Sequence, residues 1–405
     1  MNDGVKAKTP PELTFAAHQF SKYYSVHRLQ EVPGLKQREF GFMFFDKGFV
    51  HRHIGFQNTD ELRRYLVERS PAHAYYSTAY YERPDAKTMA EKGWMGADLI
   101  FDLDADHVRG SEKLPYEQML ARVKAVLIKL YDEFVCSDLG FGESDTEIVF
   151  SGGRGYHIHA YGEDVKKLGS HERREIVDYV TAVELDLDIL LSSKAIETER
   201  NRKQLKSTRL PALSEGGWYG KTRKALNMLL EQLLSLPEEG AIELLVSAGI
   251  KKNQAARIYR QVQDRGARER MLSENILDAL TDRDDDLKQF KSVLQSKAVE
   301  WLGGQTDEPV TSDTHRLIRL PGSLHGKTAL KVVSLTRDQL ATFDPLRDAV
   351  PDFGEETVLV HSAREFVAEP LGGHALTIRE GLNEIPLPLG LFLILRRQVT
   401  LAPKR

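Results

Sequence analysis

The sequence predicts an α/β (α+β) fold, a mixed-sheet core with an inserted helical lobe, and three observations lead there. Up to about residue 200, apolar residues switch between the two-residue period of strands and the 3.6-residue period of helices. From Arg200 to Leu302 only the helical period persists, and from residue 303 the mixed pattern returns. The expected domains are residues 1–200, the first part of the core; 201–302, the lobe; and 303–405, the completion of the core with a carboxy-terminal segment.

Taken in order, Phe15 to Tyr24 reads as a short helix. Phe40 to Phe45 and Phe49 to Phe56 are aromatic runs around Asp46-Lys47-Gly48, a hairpin signal. Thr59 to Glu68 opens on a capping residue and places Leu62, Tyr65 and Leu66 at helical spacing. Strands follow at His73 to Tyr81 and Ala97 to Asp104, then a helix from Pro115 to Phe134. Glu147 to Phe150 and Tyr156 to Tyr161 are strands, and Glu172 to Leu191 is a helix. In the lobe, Ala225 to Leu236, Ala241 to Leu245, Gln254 to Val262, Glu274 to Leu280 and Leu287 to Leu302 are helical, with no strand expected. The acidic cluster Asp282, Asp284, Asp285 and Asp286 is placed in the turn before the last helix.

With 405 residues, 41% hydrophobic and 29% charged, the chain can bury a sizeable core. A formal charge of -4 excludes a chain-wide basic field for nucleic acid and leaves room for local patches. One such stretch is Arg200 to Lys224, where eight basic residues face one acid, Glu215. Another runs from Arg257 to Arg270. Both are candidates for a template backbone or for ordinary solvated surface. A salt slope of binding unchanged by neutralising Lys203, Lys206 and Arg209 would remove the first. The single cysteine, Cys136, excludes an internal disulfide and a Cys-rich zinc site, and points to a reducing compartment. The longest apolar stretch, Ile385 to Leu395, is too short and too rich in proline and glycine to span a bilayer. A cytoplasmic protein without a membrane partner is expected.

Three segments carry chemistry. In Asp98-Leu99-Ile100-Phe101-Asp102-Leu103-Asp104-Ala105-Asp106, a strand turns Asp102 and Asp104 to one face and Leu99, Phe101 and Leu103 to the other. Two neighbouring carboxylates repel unless a cation lies between them, and oxygen donors suit Mg²⁺ or Mn²⁺. A bare D-x-D is more often a solvated strand end; the apolar run before it shifts the balance toward a site, and alone the segment is suggestive. In Ser151-Gly152-Gly153-Arg154-Gly155-Tyr156-His157-Ile158-His159, glycines let backbone N–H groups approach an anion, and Arg154 adds a phosphate-suited fork. The competing reading is a tight hairpin with a buried histidine. The third segment, Asp307 to Thr328, holds a further carboxylate, several cations and a glycine turn. Gly322 to Thr328 is not a phosphate-binding loop of the G-x-x-x-x-G-K-[ST] type, because only three residues separate Gly322 from Gly326 where that loop needs four.

In their order and character these segments resemble the catalytic subunits of archaeo-eukaryotic primases, most closely the small subunits of archaeal DNA primases. The resemblance also takes in Arg38-Glu39-Phe40-Gly41-Phe42, Arg52-His53-Ile54-Gly55-Phe56 and Tyr75-Tyr76-Ser77-Thr78-Ala79-Tyr80-Tyr81-Glu82. It covers residues 10–162 and 305–335, with a weaker echo at Glu384 to Arg397. It implies a primase-type core and template-directed nucleotidyl transfer from NTPs or dNTPs on single-stranded DNA. Asp102, Asp104 and Asp307 match the ligands of two Mg²⁺ or Mn²⁺ ions, with Asp313 competing for the third place. Ser151, Arg154, His157, Arg319 and His325 match the nucleotide-binding positions. Relatives bind zinc shortly after the catalytic strand; Ala105 to Leu130 holds His107 and no cysteine, so no zinc site is expected. The resemblance further implies a large-subunit partner with an iron–sulfur cluster. Exposed apolar residues of the lobe, or Ile385 to Leu395, are either that interface or core. The rival classes are a metal-dependent phosphohydrolase or nuclease, a repair-type primase-polymerase, and a binding factor with a dead site.

Overall fold

The computed structural model describes residues 9–191, 193–196, 205–281, 283–373 and 375–402. In chain order the elements are α1 (Pro11–Val26), β1 (Phe40–Met43), β2 (Val50–Ile54), α2 (Thr59–Arg69), β3 (His73–Ser77), β4 (Ala79–Tyr81), β5 (Trp94–Ala97) and β6 (Leu99–Asp104). Next come α3 (Tyr116–Leu130), β7 (Thr146–Phe150), β8 (Gly155–Ala160), α4 (Glu163–Lys166), α5 (Ser170–Thr181), α6 (Leu187–Leu190), β9 (Ser193–Ile196) and β10 (Leu205–Thr208). A helical run follows, α7 (Gly217–Ser235), α8 (Glu238–Ser247), α9 (Lys252–Gln263), α10 (Arg265–Glu274) and α11 (Asp284–Leu302). The chain finishes with α12 (Glu308–Ser312), β11 (Leu317–Arg319), β12 (Val333–Leu335), α13 (Arg337–Thr342), α14 (Pro345–Asp348), β13 (Thr357–Ser362), β14 (Phe366–Val367), β15 (Thr377–Ile378), β16 (Gly381–Pro386), α15 (Leu387–Leu395) and β17 (Thr400–Leu401). Every strand pairing among the described residues is antiparallel, so the fold is α+β.

The chain divides into two compact units, residues 1–131, 141–177 and 305–405 in one, and 132–140 and 178–304 in the other. The first holds two four-stranded sheets, ordered β11-β3-β1-β2 and β12-β7-β8-β6. A smaller sheet, β16-β13-β17, carries α15, which is buried along Leu387, Leu389, Leu391, Phe392 and Leu393 and is core. The second unit packs α7 to α11 around Leu226, Leu229, Leu233, Phe290 and Leu294.

One buried arginine explains how the two large sheets are joined. The expected strand His73 to Tyr81 breaks at Thr78, and the expected strand Ala97 to Asp104 breaks at Asp98. Arg38 donates to the carbonyls of Ser77 at 3.0 Å and Thr78 at 2.6 Å, and to Asp98 Oδ2 at 2.5 Å. Its guanidinium stacks over Tyr80 at 3.6 Å, and Tyr80 donates its hydroxyl to Asp98 Oδ1 at 3.0 Å. Both breaks are thus held by one side chain. Each expected strand is shared between a large sheet and the β4-β5 pair.

Other boundaries shift for identifiable reasons. The cap of α2 is Asn58, one residue ahead of Thr59, accepting from Glu61 N at 2.9 Å. The expected helix Glu172 to Leu191 is two, because Ala182 and Glu184 adopt positive φ. The lobe region is not free of strands: β9 and β10 pair antiparallel. Of Glu274 to Leu280, Glu274 ends α10, which arises upstream and is capped by Asp264, and beyond it only a single turn at Leu277–Ala279 is helical. Asp284, Asp285 and Asp286 form the first turn of α11 rather than the turn before it, where acids favour the helix dipole. Asp286 is buried and takes a bidentate bond from Arg257 at 2.7 and 2.8 Å. Arg265 pairs with Glu269, so part of the second basic stretch is already occupied. Arg200, Arg202, Lys203 and Asp282 lie outside the described residues.

Candidate active site

The site is built on two paired strands. Strand β6 is apolar and buried until Asp102 and Asp104, which emerge half-buried on one face. Its partner β8 places His157 directly opposite Asp102 and Gly155 directly opposite Asp104. A Cβ on Gly155 would lie 2.3 Å from the Leu103 carbonyl, so only glycine permits this register. The loop before β8 closes on itself, with Ser151 Oγ accepting from Gly153 N at 3.4 Å and Gly155 N at 3.3 Å. Tyr116 of α3 donates to the Gly153 carbonyl at 2.6 Å.

A second group of side chains reaches the same open cleft, of about 1330 Å³, from β3, β11 and the turn after β11. Arg319 pairs across the ladder with Tyr75 and stacks on its ring at 4.6 Å. Arg319 Nη1 is buried with no hydrogen-bond partner among the described residues. Burial lowers this guanidinium below its ordinary pKa, against the pull of Tyr75, Asp104 and Asp102. His325 Nδ1 lies 3.1 Å from Thr328 Oγ1, and Thr328 donates to the Gly152 carbonyl at 2.5 Å. Lys327 N also donates to His325 Nδ1, at 3.4 Å, so Thr328 and the turn backbone together hold the ring. A Cβ on Gly153 would come within 2.9 Å of His325 Nε2, so the glycine loop lies directly on the ring. Burial, then Arg319 and His73, hold His325 well below the usual imidazole value. His73 Nδ1 accepts from Gly326 N at 3.1 Å and fixes the turn.

The third carboxylate comes from the amino-terminal end of α12. Asp307 N donates to the Asp102 carbonyl at 2.9 Å, and Thr306 Oγ1 donates to the same oxygen at 3.2 Å. Burial, and Asp102 nearby, push the Asp307 carboxyl up, while His107 opposes. Asp313 is turned elsewhere: it accepts from His315 N at 2.8 Å and lies in the field of Arg52 and Tyr81.

Each of the three carboxylates has a cationic or imidazole partner. Asp102 lies 3.1 Å from His157 Nε2, Asp104 lies 3.2 Å from Arg154, and Asp307 lies 3.2 Å from His107 Nδ1. Arg154 gives its main, bidentate pair to Asp106 at 2.8 and 2.5 Å. Among the described residues no three His, Cys, Asp or Glu side chains are grouped as a ready metal cage. The donor chemistry nonetheless fits hard divalent ions: oxygen-only side chains, and an Asp307 whose charge is disfavoured by burial and by Asp102. Binding would exchange the His157, Arg154 and His107 contacts for metal contacts.

The structure therefore brings Asp102, Asp104, Ser151, Arg154, His157, Arg319 and His325 to one cleft, sets Asp307 against Asp102, and turns Asp313 elsewhere within the same unit. The sequence reading did not single out Asp106, His107, Tyr116, His73 or Tyr75 as site residues. Two of them carried a usable signal: His73 and Tyr75 are two apart on a strand and so share a face.

A family model described as DNA primase small subunit matches residues 101–336. The chain is 41% identical over 387 residues to the DNA primase small subunit PriS of Methanothrix thermoacetophila, covering 95% of this chain and 97% of that one. It is 39% identical over 412 residues to that of Methanocella arvoryzae, across 100% of both chains. With that of Methanococcoides burtonii it shares 38% over 389 residues, covering 95% and 97%. This α+β core with its paired-carboxylate strand thus falls in the class of nucleotidyltransferase-type polymerases. Within that class the chain belongs to the DNA primase small subunit family, with the catalytic role of a primase in DNA replication. None of the helices, among the described residues, is long and apolar enough to cross a membrane.

Proposed function

We propose that the chain is a DNA-directed primase that copies single-stranded DNA into short primers by joining NTPs or dNTPs. The observation that carries this reading is the β6–β8 register, which sets Asp102 opposite His157 and Asp104 opposite Gly155 beside the glycine loop. Asp102, Asp104 and Asp307 would hold two Mg²⁺ or Mn²⁺ ions, which supply a more acidic 3′-hydroxyl and neutralise triphosphate charge. Arg319 offers an unpartnered, desolvated N–H to a phosphate oxygen. Arg154 reaches the phosphates by releasing or sharing Asp106, and His157 is freed as Asp102 turns to a cation. His325 packs under the glycine loop through Thr328 and keeps its backbone N–H groups in place.

De novo synthesis on unprimed single-stranded DNA tests this, with labelled NTPs or dNTPs and Mg²⁺ or Mn²⁺. Asp102→Ala should lower the rate on the order of 10³-fold or more, as loss of several kcal/mol of transition-state stabilisation requires. A near-normal rate in that variant would overturn the reading. The name of the relatives, small subunit, supports a heterodimer with a large subunit. With one cysteine, Cys136, this chain cannot itself ligate a four-cysteine iron–sulfur cluster, so any such cluster belongs to the partner. Co-purification with a large subunit, with iron found only in the complex, is the expected result.

A further inference from the structure

The catalytic reading uses Arg154 and Arg319, yet the cleft is lined by seven lysines and arginines against three carboxylates, in a chain whose formal charge is -4. Its volume of about 1330 Å³ also exceeds the several hundred Å³ that one small ligand fills. The surplus charge has a definite location. Arg396 and Arg397 follow the last turn of α15 and line the cleft.

Their placement is built rather than incidental. The Arg396 guanidinium stacks over Tyr116 at 4.5 Å and Phe392 at 5.0 Å. The hydroxyl of the same Tyr116 is the one bonded to the Gly153 carbonyl at 2.6 Å. One tyrosine therefore ties Arg396 to the glycine loop. Arg397 adopts φ 59, the left-handed conformation at which helices normally end on glycine. Backbone bonds hold it there, Arg397 N to Ile394 O at 2.9 Å and Gln398 N to Leu393 O at 2.9 Å. An arginine in a position that favours glycine keeps a strained backbone together with a cationic side chain at the cleft. Neither arginine has a carboxylate partner within ion-pair distance among the described residues.

We propose that Arg396 and Arg397 form a second phosphate subsite, beside the triphosphate site across Tyr116, that takes backbone phosphates of the single-stranded nucleic-acid substrate. Arg397 is exposed and Arg396 half-buried at the cleft margin, which suits a strand that enters and slides, whereas the triphosphate reading calls on the buried Nη1 of Arg319. The assignment rests on the nucleotidyl-transfer reading only for the identity of the anion.

The test is binding of a fluorescein-labelled single-stranded oligodeoxynucleotide to the full chain, without nucleotide, across a salt series. Arg396→Gln with Arg397→Asn removes both charges, and asparagine tolerates the left-handed backbone. The salt slope should fall by about 1.4, roughly 0.7 for each phosphate left without its arginine, while NTP affinity measured separately stays as in the parent. Arg396→Lys with Arg397→Lys keeps both charges and should keep the slope, which separates charge from folding. An unchanged slope in the Gln/Asn variant would overturn the proposal. So would a loss of NTP affinity with DNA binding intact, which would assign the arginines to the triphosphate. DNA binding through them in a chain that makes no product would instead sink the catalytic reading and leave this one standing.

Discussion

Replacing Arg319 with methionine separates the needs of the fold from the needs of the reaction. Arg319 Nη1 is buried without a partner among the described residues, a state that costs about 1–3 kcal/mol. Stacking on Tyr75, 4.6 Å away, returns about 1–2 kcal/mol when desolvated. The two nearly cancel, and methionine fills the space on the ring, so free-chain stability should change by no more than about 1–2 kcal/mol. A charge-assisted bond to a phosphate oxygen is worth about 1.5–3 kcal/mol, so nucleotide KM should rise roughly 10- to 100-fold. The assays are steady-state extension of a primed template and thermal unfolding without nucleotide. The expected outcome is a raised KM, kcat within a few-fold, and a Tm shift of only about 2–5 °C. A Tm lowered by about 10 °C or more with KM unchanged would make Arg319 a structural residue and refute the reasoning.

Three further outcomes follow from the geometry. Arg38→Ala leaves Asp98 buried without its cationic partner, with the Tyr80 hydroxyl still bonded to it, and should destabilise by about 3–5 kcal/mol in denaturant titration, whereas Arg38→Met with Asp98→Leu should recover much of that. Gly155→Ala drives a Cβ to 2.3 Å from the Leu103 carbonyl, so it should lose about 2–3 kcal/mol and abolish synthesis; a stable, active variant would contradict the register argument. Burial holds His325 well below its ordinary value and His73 down at about 2, with neighbouring cations adding to both. Unfolded imidazoles take up protons below about pH 6.5 and these folded ones do not, so stability should fall as pH drops through that value. The slope is up to about 1.4 kcal/mol per pH unit for each histidine, read as Tm between about pH 7.5 and 5.

Local chemistry was legible in the sequence and long-range chemistry was not. Asp102 and Asp104 declared themselves through strand periodicity, and the glycine loop through its composition. The breaks at Thr78 and Asp98 were invisible, because the residue enforcing both, Arg38, lies 40 and 60 positions away in the chain. Helix α10 buries only Ala267 and Met271, too narrow a stripe to show a period, though its cap Asp264 was available as a sign. The partners of the carboxylates divide the same way. His157 follows from β8, whereas the pairing of His107 with Asp307 depends on where α12 meets the end of β6. Arg396 and Tyr116 meet through packing of α15 and α3, which no local pattern encodes.

The central claim is that Asp307, carried beside Asp102 by a backbone bond, completes the carboxylate set, and that Asp313 does not. Its most direct test compares Asp307→Asn with Asp313→Asn in unprimed synthesis, with Mn²⁺ binding followed by its electron spin resonance. The account predicts loss of product and weakened Mn²⁺ binding for Asp307→Asn, with both retained for Asp313→Asn. Product and metal binding lost only in Asp313→Asn would contradict it.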